Sequence, residues 1–134
     1  MAQSFGLQLG AFAKKAGGNC DLVVRKVAVE ATARIVRRTP VDTGRARANW
    51  TVTVGRPSYA TTEGFDKAGA ATIAAAATAV AGFRCGPSVW IANGLPYIER
   101  LETGWSTQAP SGMVGLTVIE FQGMVNAAAR EVRK

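Results

Sequence analysis

NCDLVVRKVAVEATARIVRRTP, residues 19–40, decides how the rest of the chain is read. Val24, Val27, Ala28, Ala31 and Ile35 recur at three- and four-residue intervals, which puts them on one face of a helix running from Asn19 to Arg38. Arg25, Lys26, Glu30, Arg34 and Arg37 fall on the other faces, so the helix is amphipathic. Asn19 or Asp21 can cap its start, and Glu30 stands one turn before Arg34. Arg34, Arg37 and Arg38 place positive charge at the negative end of the helix dipole. Pro40 ends the helix and pushes Thr39 toward extended backbone. The many valines, stiff in a helix, partly oppose this assignment.

Downstream, Trp50-Thr51-Val52-Thr53-Val54 alternates large apolar residues with threonine and stops at Gly55, the pattern of a strand with Trp50, Val52 and Val54 inward. Residues 57–65 are rich in Pro, Ser, Thr and Gly and read as a loop. Asp66 to Ala81 is an alanine-rich helix whose large apolar residues are Ile73 and Val80, suited to close packing and too short for a membrane span. Ser88 to Ala92 forms a second strand, ended by Asn93-Gly94. Pro96 opens a short helix from Tyr97 to Glu102, closed by Gly104, and residues 107–112 form a loop. From Met113 or Thr117 onward, Val118, Phe121, Val125, Ala128 and Val132 mark a second amphipathic helix. The expectation is a single α+β domain over residues 1–134, in which N- and C-terminal amphipathic helices pack on a small, mainly antiparallel sheet made of residues 49–55 and 88–93. Residues 1–18 form an N-terminal extension, and 57–87 form a variable Ala-rich insertion between the strands.

The chain's 134 residues suffice for one core, hiding roughly two-thirds of the unfolded surface. Its 16 basic and 9 acidic side chains leave a net charge of +7, which draws it toward phosphate, anionic surfaces or an acidic partner. Cys20 and Cys85 are spaced too widely for a metal motif, and with no signal-like leader both are expected to be reduced and buried in a cytoplasmic protein. The absence of histidine removes the commonest general base and metal ligand, so no cofactor or metal is expected. Glu99 and Glu102 share a helix face without further ligands to complete a metal site.

Asp42-Thr43-Gly44 is the string that holds the carboxylate of an aspartic protease, which would need a dimer to bring two aspartates about 3 Å apart. Here it follows a helix and a proline, and Arg45 and Arg47 would favour two ionised carboxylates, the wrong state for the dyad. The simpler reading is a turn, with Asp42 bonding nearby amides and Gly44 at positive φ. A sequence-independent nucleic-acid-binding protein is the other alternative, although no zinc pattern, RNP-like strand or helix-turn-helix appears.

Residues 39–50, TPVDTGRARANW, and 93–122, NGLPYIERLETGWSTQAPSGMVGLTVIEFQ, together resemble the neck and tail-completion (head-tail joining) family of long-tailed bacteriophages, labelled minor tail protein Z-like. The order is also similar: basic helix, D-T-G-R turn, tryptophan-bearing strand, Ala-rich segment, N-x-x-P-Y, then L-E-x-G-x-S-x-Q-A-P-x-G-M. The motifs span about a third of the chain. The resemblance implies a non-enzymatic virion protein that forms a ring at the joint between portal and tail, six copies in the favoured case and twelve in the alternative. It implies neck, portal-side and tail-tube proteins as partners, and genomic DNA passing through with at most non-specific contact. Pro40, Asp42 and Gly44 would then form a structural turn. Tyr97, Glu102, Trp105, Gln108, Pro110 and Met113, with Arg45 and Arg47, would contact the next subunit or ring.

Overall fold

The computed structural model of the protein describes residues 20–133; the expected extension 1–18 and the capping role of Asn19 lie outside the described residues. The first described helix, α1, spans Cys20–Arg38 and holds the entire expected apolar stripe in the core. Val23, Thr32, Ala33 and Val36 are buried as well, so the covered arc is wider than one stripe. The reason is position: α1 packs against the C-terminal helix on one side and against the Ala-rich helix and sheet on the other. Tertiary burial overrides the weak helix propensity of its β-branched residues.

After Pro40 the chain turns at Gly44, whose φ is 92°. A Cβ there would approach the Lys67 nitrogen to 2.6 Å, so the position requires glycine on two counts. The Gly44 carbonyl accepts hydrogen bonds from Ala48 N and Asp66 N, both at 3.0 Å. A four-residue helix, α2 (Arg45–Ala48), follows where the sequence suggested only a turn running into a strand. Strand β1 (Trp50–Val54) pairs antiparallel with β2 (Val89–Asn93), in a register that sets Trp50 opposite Asn93 and Val54 opposite Val89. Trp50 is buried and Val52 half-buried, but Val54 is exposed, contrary to expectation. Alternation sets which way a side chain points, whereas burial depends on what packs above it, and Val54 stands at the very end of the strand.

Helix α3 spans Ala70–Val80 rather than starting at Asp66. Asp66 stands before it and receives hydrogen bonds from Gly69 N (3.1 Å), Thr72 N (2.8 Å) and Thr72 Oγ1 (2.7 Å). The aspartate therefore serves the entry to the helix, a more favourable use of its carboxylate than an interior position. Helix α4 (Ile98–Glu102) closes at Gly104 as the sequence indicated, with Leu95 and Ile98 buried beneath it. Helix α5 (Val114–Arg133) returns along α1. Its buried stripe includes Phe121, Val125 and Ala128, but Val118 is 47% exposed and Thr117 takes the inward position. Thr117 tolerates burial because its hydroxyl donates to the Met113 carbonyl (2.9 Å) and accepts from Arg38 Nη1 (2.9 Å).

Cys20 and Cys85 form a disulfide, with Cα atoms 5.9 Å apart and both residues half-buried, which corrects the expectation of reduced, buried thiols. Separation along the chain carried no information about separation in space. Asp21 Oδ1 accepts from Cys85 N (2.7 Å) and Arg25 Nε donates to the Phe83 carbonyl (3.0 Å), drawing the segment before β2 onto the first turn of α1. Asp21 thus bonds across the fold instead of capping its own helix. Closing a loop of this length restrains the unfolded chain, so reduction should lower stability by about 2 to 4 kcal/mol. Urea unfolding with and without reductant, and of Cys85→Ser, should show the same loss; coincident curves would mean that the bridge contributes nothing.

Candidate functional site

Residues 39–50 and 93–122 bond to each other. The Val41 amide donates to Gln108 Oε1 (2.8 Å), and Gln108 Nε2 returns a bond to the Val41 carbonyl (3.0 Å). A side-chain amide satisfying both groups of one backbone residue works like a short piece of sheet, and it pins the 106–112 loop to the D-T-G-R turn. The buried Ala109 seats the loop beside it. Glu102 ties the other end. Its Oε1 accepts from Met113 N (3.0 Å) and Val114 N (2.8 Å), and its Oε2 from Gly115 N (2.9 Å). This places a carboxylate on the positive end of α5, where orphan amides and the helix dipole both favour it.

Six of the expected residues, Pro40, Asp42, Gly44, Arg45, Tyr97 and Gln108, line one shallow pocket of about 280 Å³. Asp42, expected to bond nearby amides, is exposed there, and the Arg45 amide donates instead to Thr43 Oγ1 at 3.3 Å. Arg45 is half-buried, and its Nε is shielded from solvent without a hydrogen-bond partner among the described residues. Tyr97 sits in the capping position of α4 with 37% exposure. Trp105 is 74% exposed, its ring beneath the Arg100 guanidinium at 5.3 Å. Its backbone amide bonds the Arg100 carbonyl at 3.1 Å, so the exposed ring stands on an ordered base.

Other expected contacts are committed inside the fold. Met113 is fully buried. Arg47 Nε donates to the Thr39 carbonyl (2.9 Å), Nη1 to Lys67 (2.7 Å) and Nη2 to Arg37 (3.0 Å), clamping three separate segments. Burial pushes its guanidinium below its ordinary pKa, with the Asp66 charge opposing. Burial alone would raise Asp66, yet the hydrogen bonds from Thr72 and Gly69 hold it below the usual carboxylate range.

Several residues that sequence reasoning passed over organise the surroundings. Asn49 Nδ2 donates to the Arg45 (2.8 Å) and Thr62 (2.9 Å) carbonyls while its Oδ1 accepts from Thr62 N (2.7 Å), holding the loop 57–65 beside β1. Asn93 Nδ2 reaches the Ala46 carbonyl (3.0 Å) from the opposite strand. Both are buried, Asn49 just before β1 and Asn93 at the end of β2 opposite Trp50, and an Asn at one boundary of each strand is the signal that was available. Glu120 receives Arg38 Nη1 at 2.6 Å and Arg34 Nη1 at 3.2 Å, while Arg34 also pairs with Glu30 as its spacing implied. The hydrogen bond from Arg38, reinforced by Arg34, lowers Glu120 from its ordinary 4.5 to about 2.

Among the described residues no group of three or more potential ligands is placed to hold a metal, and no helix is long and apolar enough to cross a membrane. No family model matches the chain, nor does any curated protein or solved structure.

Two measurements test this geometry. Arg47→Lys keeps the charge but cannot reach three carbonyls, so it should cost about 1 to 3 kcal/mol in denaturant unfolding; an unchanged midpoint would remove the clamp from the account. Because Glu120 is depressed in the fold, its contribution is complete above pH 4.5 and is lost as pH falls toward 2. Glu120→Gln should therefore be less stable than the parent at pH 7, with the gap closing across that window. A gap independent of pH would mean that ionisation of Glu120 is not its source.

Proposed function

We propose that this protein is a structural subunit of the neck of a long-tailed bacteriophage, forming a ring that completes the tail and joins it to the capsid portal complex. The observation that carries this reading is the Gln108–Val41 bond. It turns two separated stretches resembling one family into a single surface element, from which Trp105 projects with most of its ring in water. An ordered, exposed tryptophan beside a cation has little use in its own monomer and suits a subunit contact. Arg45, half-buried in the pocket that Tyr97 and Gln108 also line, supports an inter-subunit role for that face. Six copies close the ring, since a heterologous contact that closes gives cyclic symmetry. Neck, portal-side and tail-tube proteins flank it, and DNA passes through.

Light scattering of the full chain at low and moderate salt should give a mass of six or twelve subunits. Trp105→Ala should lose that assembly while keeping the parent's melting temperature, because the ring contributes little to its own core. A strict dimer, or rings that form equally well with alanine at 105, would sink the reading.

A further inference from the structure

We propose that the cleft between the C-terminal end of α1, Arg47 and the 108–112 loop is a docking site for an acidic segment of a partner protein. The cleft has a volume of about 370 Å³; Arg37, Arg38 and Arg47 line it, and no Asp or Glu does. Two of these cations are held in place. Arg38 is fixed by Glu120 (2.6 Å) and Thr117 (2.9 Å), and Arg47 by the carbonyls of Thr39, Lys67 and Arg37. Arg37 is exposed, and its guanidinium has no partner among the described residues. A guanidinium has five N–H donors, so Arg47 keeps two after its three carbonyl bonds, and Arg37 keeps all of its own.

The nearby acids offset this charge only in part. Glu120 is shared between Arg34 and Arg38, while Asp66, which acts on Arg47 electrostatically, gives its oxygens to Gly69 and Thr72. What remains is a positive pocket with pre-positioned planar donors, suited to bidentate capture of a carboxylate. Pro40, Pro110 and Leu116 supply apolar walls against which a peptide's side-chain stems can lie. A nucleic-acid backbone calls for cations spaced along a row of phosphates; here they converge in one narrow cleft. A second copy of this chain is a poor source of the acid. Its net charge is +7, and of its nine carboxylates Asp21, Glu30, Asp66, Glu102, Glu120 and Glu131 are already engaged within the fold, which leaves the scattered Asp42, Glu63 and Glu99. The inference stands whether or not the chain closes into a ring.

The test is fluorescence anisotropy of a labelled hexaglutamate peptide titrated with the full-length protein at low and physiological ionic strength, with a random DNA duplex as competitor. Hexaglutamate should bind, more weakly as salt rises. Arg37→Glu should weaken it by roughly tenfold or more, since a charge-assisted pair is replaced by repulsion. Ser111→Glu, which adds an acid to the same cleft from an exposed loop position, should do likewise, and both variants should keep the parent's melting temperature. Absence of hexaglutamate binding, or binding indifferent to both variants, would overturn the proposal. Duplex that binds more tightly than the peptide and is lost with the same variants would overturn it in favour of a nucleic-acid site.

Discussion

Burial of α1 on two sides is the contact on which the rest of the structure depends. Val24, Ile35 and their neighbours face α5 on one flank and α3 with the sheet on the other, so one helix supplies the common wall of both layers. Its residues are small, mostly valine and alanine, which lets the surrounding elements approach closely. Close approach carries its own demand: a Cβ at Gly69 would run into the Val36 side chain, so the entry to α3 is glycine with φ 80°. On α3 itself the buried residues Thr72, Ala76 and Val80 are small or medium-sized, while most of its other alanines are exposed.

The C-terminal end of α1 is where helix, turn and sheet are joined. Thr39 is fully buried; its hydroxyl donates to the Ile35 carbonyl (2.7 Å) and accepts the Trp50 indole N–H (2.8 Å). Its carbonyl accepts from Arg47. A single threonine therefore finishes its own helix, orients the anchor of β1 and fixes the clamp that holds the segment around Lys67. Removing a polar group from such a network leaves its partners unsatisfied in a water-poor setting, which costs more than a surface bond is worth.

Charge is distributed by this architecture in two ways. Arg25, Arg34, Arg38 and Arg47 spend much of their bonding capacity on carbonyls or carboxylates within the fold. Arg37 and the exposed Arg100–Trp105 pair face outward. Net charge alone overstated the free positive surface, because so many of these guanidinium groups are bonded within the fold.

Much of the fold was legible in the chain. The heptad-like spacing of α1, the alternation of β1, the Pro40 and Gly104 stops and the antiparallel α+β arrangement all follow from local chemistry, since period and punctuation act over a few residues. The expected site was legible only as a set of motifs. Which of its members point outward, as Trp105 does, and which are consumed internally, as Arg47, Glu102 and Met113 are, depends on neighbours far away in sequence. The Cys20–Cys85 bridge, the exposure of Val54 and Val118 and the burial of Thr117 were decided the same way. Composition and periodicity by themselves determined the elements and their amphipathic faces; only tertiary packing decided their partners, because burial and bonding are properties of distances in space that spacing along the chain does not encode.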